Sequence, residues 1–133
     1  MKKILVAYDG SEPAKRALAE AAELVTAMGG TVTVVSVVPV HPGRAPVDPW
    51  DDRPVHDAQL AEAKTILAAR HVAWEVLEPA GDPAKTIETI AEEGGYDTVI
   101  LGSRGLGTAE RVLQGSVSEH VATHSKATVV IVH

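Results

Sequence analysis

The sequence predicts an α/β fold: a doubly wound parallel sheet with helices on both faces. Three observations carry that expectation. Short apolar runs rich in β-branched residues recur along the chain, segments of helical periodicity separate them, and the apolar 45% contains no Phe and only two Trp and two Tyr. Buried parallel strands read as continuous Val/Ile/Leu runs, and the crossovers between them are helical and right-handed. At 133 residues the chain is expected to be a single domain, 1–133, with one continuous core.

Ile4 to Tyr8 is the first such run, closed by the turn residues Asp9-Gly10-Ser11. Ser11 is placed to cap a helix with Pro13 in its first turn. Ala14, Ala17, Leu18, Ala21, Leu24, Val25 and Met28 then recur on one face until Gly29-Gly30. Thr31 to Val38 reads as a second central strand ended by Pro39. From Pro39 to Pro54 the chain carries five of its eight prolines, which predicts a surface excursion without regular backbone pairing. A solvated variable loop is the simpler reading of 41–54, and a lid with Trp50 packed on a ligand is the other.

Ala58 to Arg70 has helical spacing through Leu60, Ala63, Ile66 and Leu67, and Val72 to Leu77 alternates as a third strand. Asp82 caps the next predicted helix with Pro83 at its first position, an apolar stripe of Ile87, Ile90 and Ala91, and a stop at Gly94-Gly95. Asp97 to Leu101 is expected as a fourth buried strand, Gly115 to His124 as a helix, and Ala127 to Val132 as a fifth, apolar strand.

A net charge of −6 excludes a broad basic footprint for nucleic acid or an anionic membrane surface. The absence of Cys excludes disulfides, thiol chemistry and Cys-based zinc sites, and fits a reducing, cytoplasmic setting. Asp9 interrupts the first apolar run too early for a signal h-region. No run approaches the roughly 20 apolar residues of a membrane helix.

Ligands of open α/β sheets bind beyond the carboxyl ends of strands, where strand order reverses. Asp9 and the stretch from Gly102 to Ser116 both begin at predicted strand ends, and connections longer than about 12 residues usually have a function. Two phosphate motifs fail there. Gly102 and Gly107 have Walker A spacing but lead into Thr108-Ala109 where Lys-Ser/Thr is needed, and Glu110 stands where a dinucleotide fingerprint needs its third glycine. What remains is a set of glycines whose N–H groups can approach an anion, and a helix start at Gly115-Ser116 that favours negative charge. Ser116 also fits a capping box with Glu119, a role compatible with a phosphate contact.

The pattern Gly102-x2-Gly105-x9-Gly115-Ser116 resembles the nucleotide-binding branch of the universal stress protein family. The resemblance extends to Lys3 through Ser11, Gly81-Asp82-Pro83, Gly115 through Val121 and Thr128 through Val132. It implies five strands in the order 3-2-1-4-5 with an adenine-nucleotide site at the switch between strands 1 and 4. The implied ligand is ATP, AMP or ADP, with magnesium carried on the phosphates. Asp9 would then meet the ribose or the phosphate-bound metal, Val37 would meet adenine through its backbone, and Ala7 stands where relatives carry another small residue or Pro. Gly102, Arg104, Gly105, Gly115, Ser116 and Val117 would surround the phosphates.

Asp9 also fits a plain turn role. A phospho-acceptor role is disfavoured by the lack of a second acid beside it and of a Lys after strand 5. His120 and His124 share a helix face, without a third ligand nearby in sequence or a His-Glu-x-x-His pattern. No nucleophile elbow is present. The last strand, if at a sheet edge, exposes Val129 to Val132, and two-fold pairing with a second copy would cover it; the resemblance implies the same homodimer. The expected function is an ATP/AMP-binding, nucleotide-gated regulatory dimer in the stress response, with residues 103–114 ordered by phosphate and an unknown regulatory protein as its further partner. It is not expected to be an enzyme, or at most a slow ATPase, because no general base, arginine finger or metal cage is evident. A nucleotide-independent dimeric interaction protein of the same fold is the alternative. A small nucleotidyl-transferring enzyme is disfavoured by the lack of a second substrate domain.

Overall fold

The structure, a computed structural model, describes residues 2–39, 53–102 and 121–133. In chain order it contains β1 (Lys2–Ala7), α1 (Glu12–Met28), β2 (Gly30–Val35), β3 (Val38–Pro39), α2 (Arg53–Ala68), β4 (Ala73–Leu77), β5 (Ala80–Gly81), α3 (Pro83–Glu93), β6 (Thr98–Gly102) and β7 (Thr128–Val132). Five strands form one parallel sheet in the order β4-β2-β1-β6-β7, and β3 pairs with β5. Counted over the five long strands, the order is the expected 3-2-1-4-5.

The alternation of side chains along β1 divides the core into two layers. Ile4 and Val6, with Val32, Val34 and Ile100, pack under α1 and α2 through Ala14, Ala17, Leu18, Ala21, Leu60, Ala63 and Leu67. Leu5, with Val35, Val99 and Leu101, packs on the other face against Ile87 and Ala91 of α3 and against Val121. Helices therefore cover both faces. Met28, expected on the apolar stripe of α1, is 57% exposed because it lies in the final turn, beyond the buried Val25. No described helix is long and apolar enough to cross a membrane.

Two boundaries differ from the sequence expectation by more than two residues. The second strand stops at Val35 instead of Val38, because its neighbour reaches Pro79, which has no N–H for the ladder. Ser36 N–H still donates to Leu77 O at 3.1 Å and Val38 N–H to Pro79 O at 2.8 Å, and pairing resumes with unchanged register in β3 and β5. The second helix starts at Arg53 instead of Ala58, so Pro54 belongs to α2 and not to the preceding loop. In a first turn its missing N–H costs no helical hydrogen bond. The last strand lies at the sheet edge beside β6 and is half-buried there, the position that the sequence reading considered for it.

The register sets the site. Ala7 is level with Val35 on one side and Leu101 on the other, so the chain leaves β1, β2 and β6 at one end of the sheet. The β1 crossover runs toward β2 and β4, whereas β6 and β7 lie on the opposite side of β1. The switch point is thus between β1 and β6.

Candidate functional site

Beyond Ala7 the chain makes a tight turn into α1. Tyr8 N–H donates to Val35 O at 2.9 Å, Gly10 adopts φ +82°, and Ser11 Oγ accepts from Ala14 N–H at 3.2 Å as the N-cap. The Asp9 carboxylate folds over this turn, and Oδ1 accepts from Ser11 N–H at 2.9 Å. The turn role therefore accounts for one oxygen. Oδ2 is buried and has no hydrogen-bond partner among the described residues. Burial pushes the Asp9 carboxyl above its ordinary value, and the hydrogen bonds with Ser11 only partly oppose that shift.

Gly102 ends β6 against the first turn of α1. A Cβ there would stand 2.9 Å from Ala14 N and 3.1 Å from Pro13 C, so only glycine lets the strand end approach the helix N-terminus this closely. Val37 lies in the bend between β2 and β3, and its buried side chain is committed to the core around Leu5, Val35 and Leu101. Its backbone remains the part that could meet a ligand. Ala7, Asp9, Val37 and Gly102 thus come together at the carboxyl ends of β1, β2 and β6. Arg104, Gly105, Gly115, Ser116 and Val117 lie outside the described residues, as do Trp50 and His120.

A cleft of about 540 Å³ opens beside Asp9 and Gly10 and is walled on its far side by Pro54, Val55, Ala58, Gln59 and Glu62 of α2. Gln59 Oε1 is buried without a hydrogen-bond partner among the described residues. Glu62 is engaged differently, since Tyr8 OH donates to its Oε1 and Lys15 Nζ lies 3.8 Å from its Oε2. Burial and the hydrogen bond to Glu62 hold the Tyr8 phenol well above its usual range, so it stays a neutral donor. Sequence reasoning missed this wall. Val55, Ala58, Gln59 and Glu62 have i, i+3, i+4, i+7 spacing, a single helix face that becomes visible once α2 begins at Arg53.

Behind the cleft, His56 Nδ1 pairs with Ser36 Oγ at 2.7 Å, tying α2 to the end of β2. Both residues are buried. His56 lies four positions before Leu60 and continues the buried stripe of the helix, which is the signal that would have found it. His124 lies 4.0 Å from Glu88 Oε1, beside a second cleft of about 510 Å³ lined in part by Tyr96, Asp97 and Lys126. Among the described residues no group of three or more His, Cys, Asp or Glu side chains is placed to hold a metal.

The fold and the site define a doubly wound α/β protein with a cleft between α2 and the β1–α1 turn, the turn that leaves the sheet at its switch point. The sequence profile of the Universal stress protein family matches residues 1–133. The chain belongs to that family. It is 31% identical over 134 residues to the universal stress protein in the QAH/OAS sulfhydrylase 3' region of Thermus aquaticus, which covers 98% of each chain. Among solved structures it resembles a universal stress protein in complex with cAMP, with a TM-score of 0.76, 25% identity and 99% and 97% of the two chains covered. The Archaeoglobus fulgidus universal stress protein in complex with dAMP shares the fold, with a TM-score of 0.78, 24% identity and 100% and 98% coverage.

Proposed function

We propose that this universal stress protein binds an adenine nucleotide across the carboxyl ends of β1, β2 and β6, as one domain over residues 1–133, and acts as a nucleotide-gated regulatory dimer. The observation that carries the reading is Asp9 Oδ2, a buried acceptor at the switch point without a partner among the described residues. Folding alone pairs such an atom, because leaving it unpaired costs about 1–3 kcal/mol; a ribose hydroxyl or a phosphate-bound magnesium ion satisfies it. Gly102 sets the end of β6 beside it, where the Gly105 to Ser116 stretch supplies amide donors for phosphate together with Arg104. The cAMP and dAMP complexes of similar proteins support adenine as the base. The ligand in this reading is ATP, AMP or ADP, with magnesium carried on the phosphates, since Asp9 alone makes no metal cage.

The nucleotide acts as a signal and not as a substrate in this reading. Phosphate orders residues 103–114 and so exposes or hides a surface for a regulatory partner in the cytoplasm. The second copy pairs along β7, whose half-buried Val129 to Val132 lie at the sheet edge.

The test is to denature the purified protein and identify the released nucleotide, then to repeat it with Gly115→Val and Ser116→Ala. The native chain is expected to release adenine nucleotide and the variants to lose it. Release of none, together with no thermal shift on adding Mg-ATP, overturns the reading. ATP turnover well above about 1 s⁻¹, the low end of ordinary enzyme rates, would overturn the regulatory assignment.

A further inference from the structure

We propose that Ser36 and His56 are positioning residues for the adenine base: their hydrogen bond holds the bend between β2 and β3 so that the Val37 backbone reads the edge of the ring. This rests on the nucleotide reading above and names what fixes its base contact. The neighbours of Val37 set the direction of its backbone. Tyr8 N–H donates to Val35 O at 2.9 Å, which points Val35 toward β1, whereas Ser36 and Val38 point the other way, donating to Leu77 O at 3.1 Å and Pro79 O at 2.8 Å. These directions alternate along an extended chain, so the N–H and C=O of Val37 point to the side of β1. There β1 has ended at Ala7, and the chain turns off through Asp9 and Gly10. Val37 thus offers a donor beside an acceptor at the switch point, anchored by a buried side chain packed with Leu5, Val35 and Leu101. Adenine presents the complementary pair, N1 as acceptor beside the N6 amine, and hypoxanthine presents the reverse, N1–H beside a carbonyl.

The tie between this bend and α2 is polar where its surroundings are not. Ser36 ends the face of β2 that Val32 and Val34 turn toward α1 and α2, and His56 begins the buried α2 stripe of Leu60, Ala63 and Leu67. Each is the polar member of an otherwise apolar row, each is 2% exposed, and the two meet with Oγ and Nδ1 2.7 Å apart. A hydroxyl both donates and accepts, so the bond forms with either tautomer of the ring. Two apolar residues of similar shape would hold α2 against the sheet at little loss of stability, because a buried hydrogen bond adds little net free energy over such packing. What apolar packing lacks is direction. The hydrogen bond fixes where Ser36 sits, and with it the peptide that leads into Val37.

The test compares ATP with inosine triphosphate and AMP with inosine monophosphate, pairs that differ only at the edge of the base. Dissociation constants are measured by calorimetry for the native chain, Ser36→Ala, His56→Leu, the double variant and His56→Asn, which keeps a polar atom near the place of Nδ1. The native chain is expected to prefer the adenine member of each pair about tenfold or more, the effect of setting donor against donor and acceptor against acceptor. Ser36→Ala and His56→Leu should each bring that preference within about threefold, the double variant should lower it no further, and His56→Asn should restore most of it. A loss of stability alone lowers the folded fraction and leaves the ratio unchanged, so the ratio separates positioning from a merely structural role. A preference that survives in Ser36→Ala or His56→Leu, losses that multiply in the double variant, or a native chain that binds both members of each pair alike overturns the assignment while nucleotide binding itself stands. Ser36→Ala removes a single oxygen, and its ratio decides the matter if His56→Leu does not fold. Failure of the native chain to bind any of the four nucleotides overturns both.

Discussion

Replacing Asp9 with Asn should stabilise the ligand-free protein while removing its nucleotide response. Asn is isosteric, and its amide oxygen can still accept from Ser11 N–H where Oδ1 now does at 2.9 Å. What changes is the second atom. In the native chain Oδ2 is a buried carboxylate oxygen without a partner among the described residues. In the variant that place is taken by a neutral NH₂, which is also unpaired but carries no charge out of water. A buried ion costs several kcal/mol and a neutral unpaired polar group about 1–3 kcal/mol, so the exchange should gain at least about 1 kcal/mol. For a chain of this size that is a rise in Tm of about 3–5 °C. The pH dependence has a definite sign. Burial raises the folded-state pKa of Asp9 above its ordinary 3.8, so between those two values the native state binds more protons than the unfolded chain and stability falls as pH rises. The advantage of Asp9→Asn should therefore be absent near pH 3, open through that window and stay constant at neutral pH. Thermal melts from pH 3 to 8 measure it. Saturating Mg-ATP should then invert the order, because only the native chain gains the binding free energy. A variant less stable than the native chain at pH 7 without ligand, or an advantage that does not vary with pH, would refute the reasoning.

Gly102→Ala should cost about 1–3 kcal/mol in urea unfolding, since its Cβ needs space 2.9 Å from Ala14 N and a backbone shift of α1 or β6 must provide it. Tyr96→Phe should cost about 1 kcal/mol in the same assay through loss of its buried hydrogen bond to Thr33 Oγ1 at 2.9 Å, with nucleotide affinity unchanged. Ile131→Lys should leave the melting temperature of the monomer within a few degrees, because Ile131 is half-exposed and its neighbours Val130 and Val132 make the contacts with the core. Light scattering at micromolar concentration should then show a monomer for the variant and, on the proposed pairing along β7, a dimer for the native chain.

Much of the fold was legible because it rests on local signals that tertiary structure reinforces. Ser11-Glu12-Pro13 and Asp82-Pro83 mark helix starts by cap chemistry, and both caps form, Asp82 Oδ2 accepting from Lys85 N–H at 3.0 Å. The buried strands announce themselves as apolar runs. The errors fall where a local rule met a nonlocal partner. Pro54 reads as a breaker in isolation, but it occupies a first helical turn where a missing N–H costs nothing. The end of β2 depends on Pro79, more than forty positions away, which no window around Val35 contains. The site divided in the same way. Asp9 was visible as a polar residue closing an apolar run, whereas Gln59 and Glu62 face it only because α2 packs beside α1, a fact of tertiary packing. The buried pair of Ser36 and His56 needed the same knowledge, although the spacing of His56 with Leu60, Ala63 and Leu67 held half of it.

The two ends of the sheet carry an Asp each, and the contrast between them bears on where a ligand belongs. At the amino ends of the strands, Asp97 Oδ2 accepts from Lys3 N–H at 2.8 Å and Oδ1 from Thr98 Oγ1 at 2.8 Å. Its own backbone joins β1 to β7, donating to Lys3 O and accepting from Thr128 N–H, both at 3.0 Å. Lys3 Nζ closes the cluster by donating to Gly94 O and lying 4.6 Å from the centre of the Tyr96 ring. Desolvation is the largest single effect and raises its pKa, but the Lys3 and Thr98 hydrogen bonds and the Lys2 charge together outweigh it, so Asp97 sits below its ordinary value. At the carboxyl ends Asp9 is shifted the opposite way and keeps one buried oxygen without a partner among the described residues, beside the cleft that Asp9 and Gln59 both line. A sequence selected for stability alone would treat both carboxylates as it treats Asp97, and an Asn or an added donor at the second end would suffice. Retaining a charged, half-satisfied Asp there sacrifices stability that is recovered when a ligand brings the donors, the usual relation between a binding site and the scaffold that holds it.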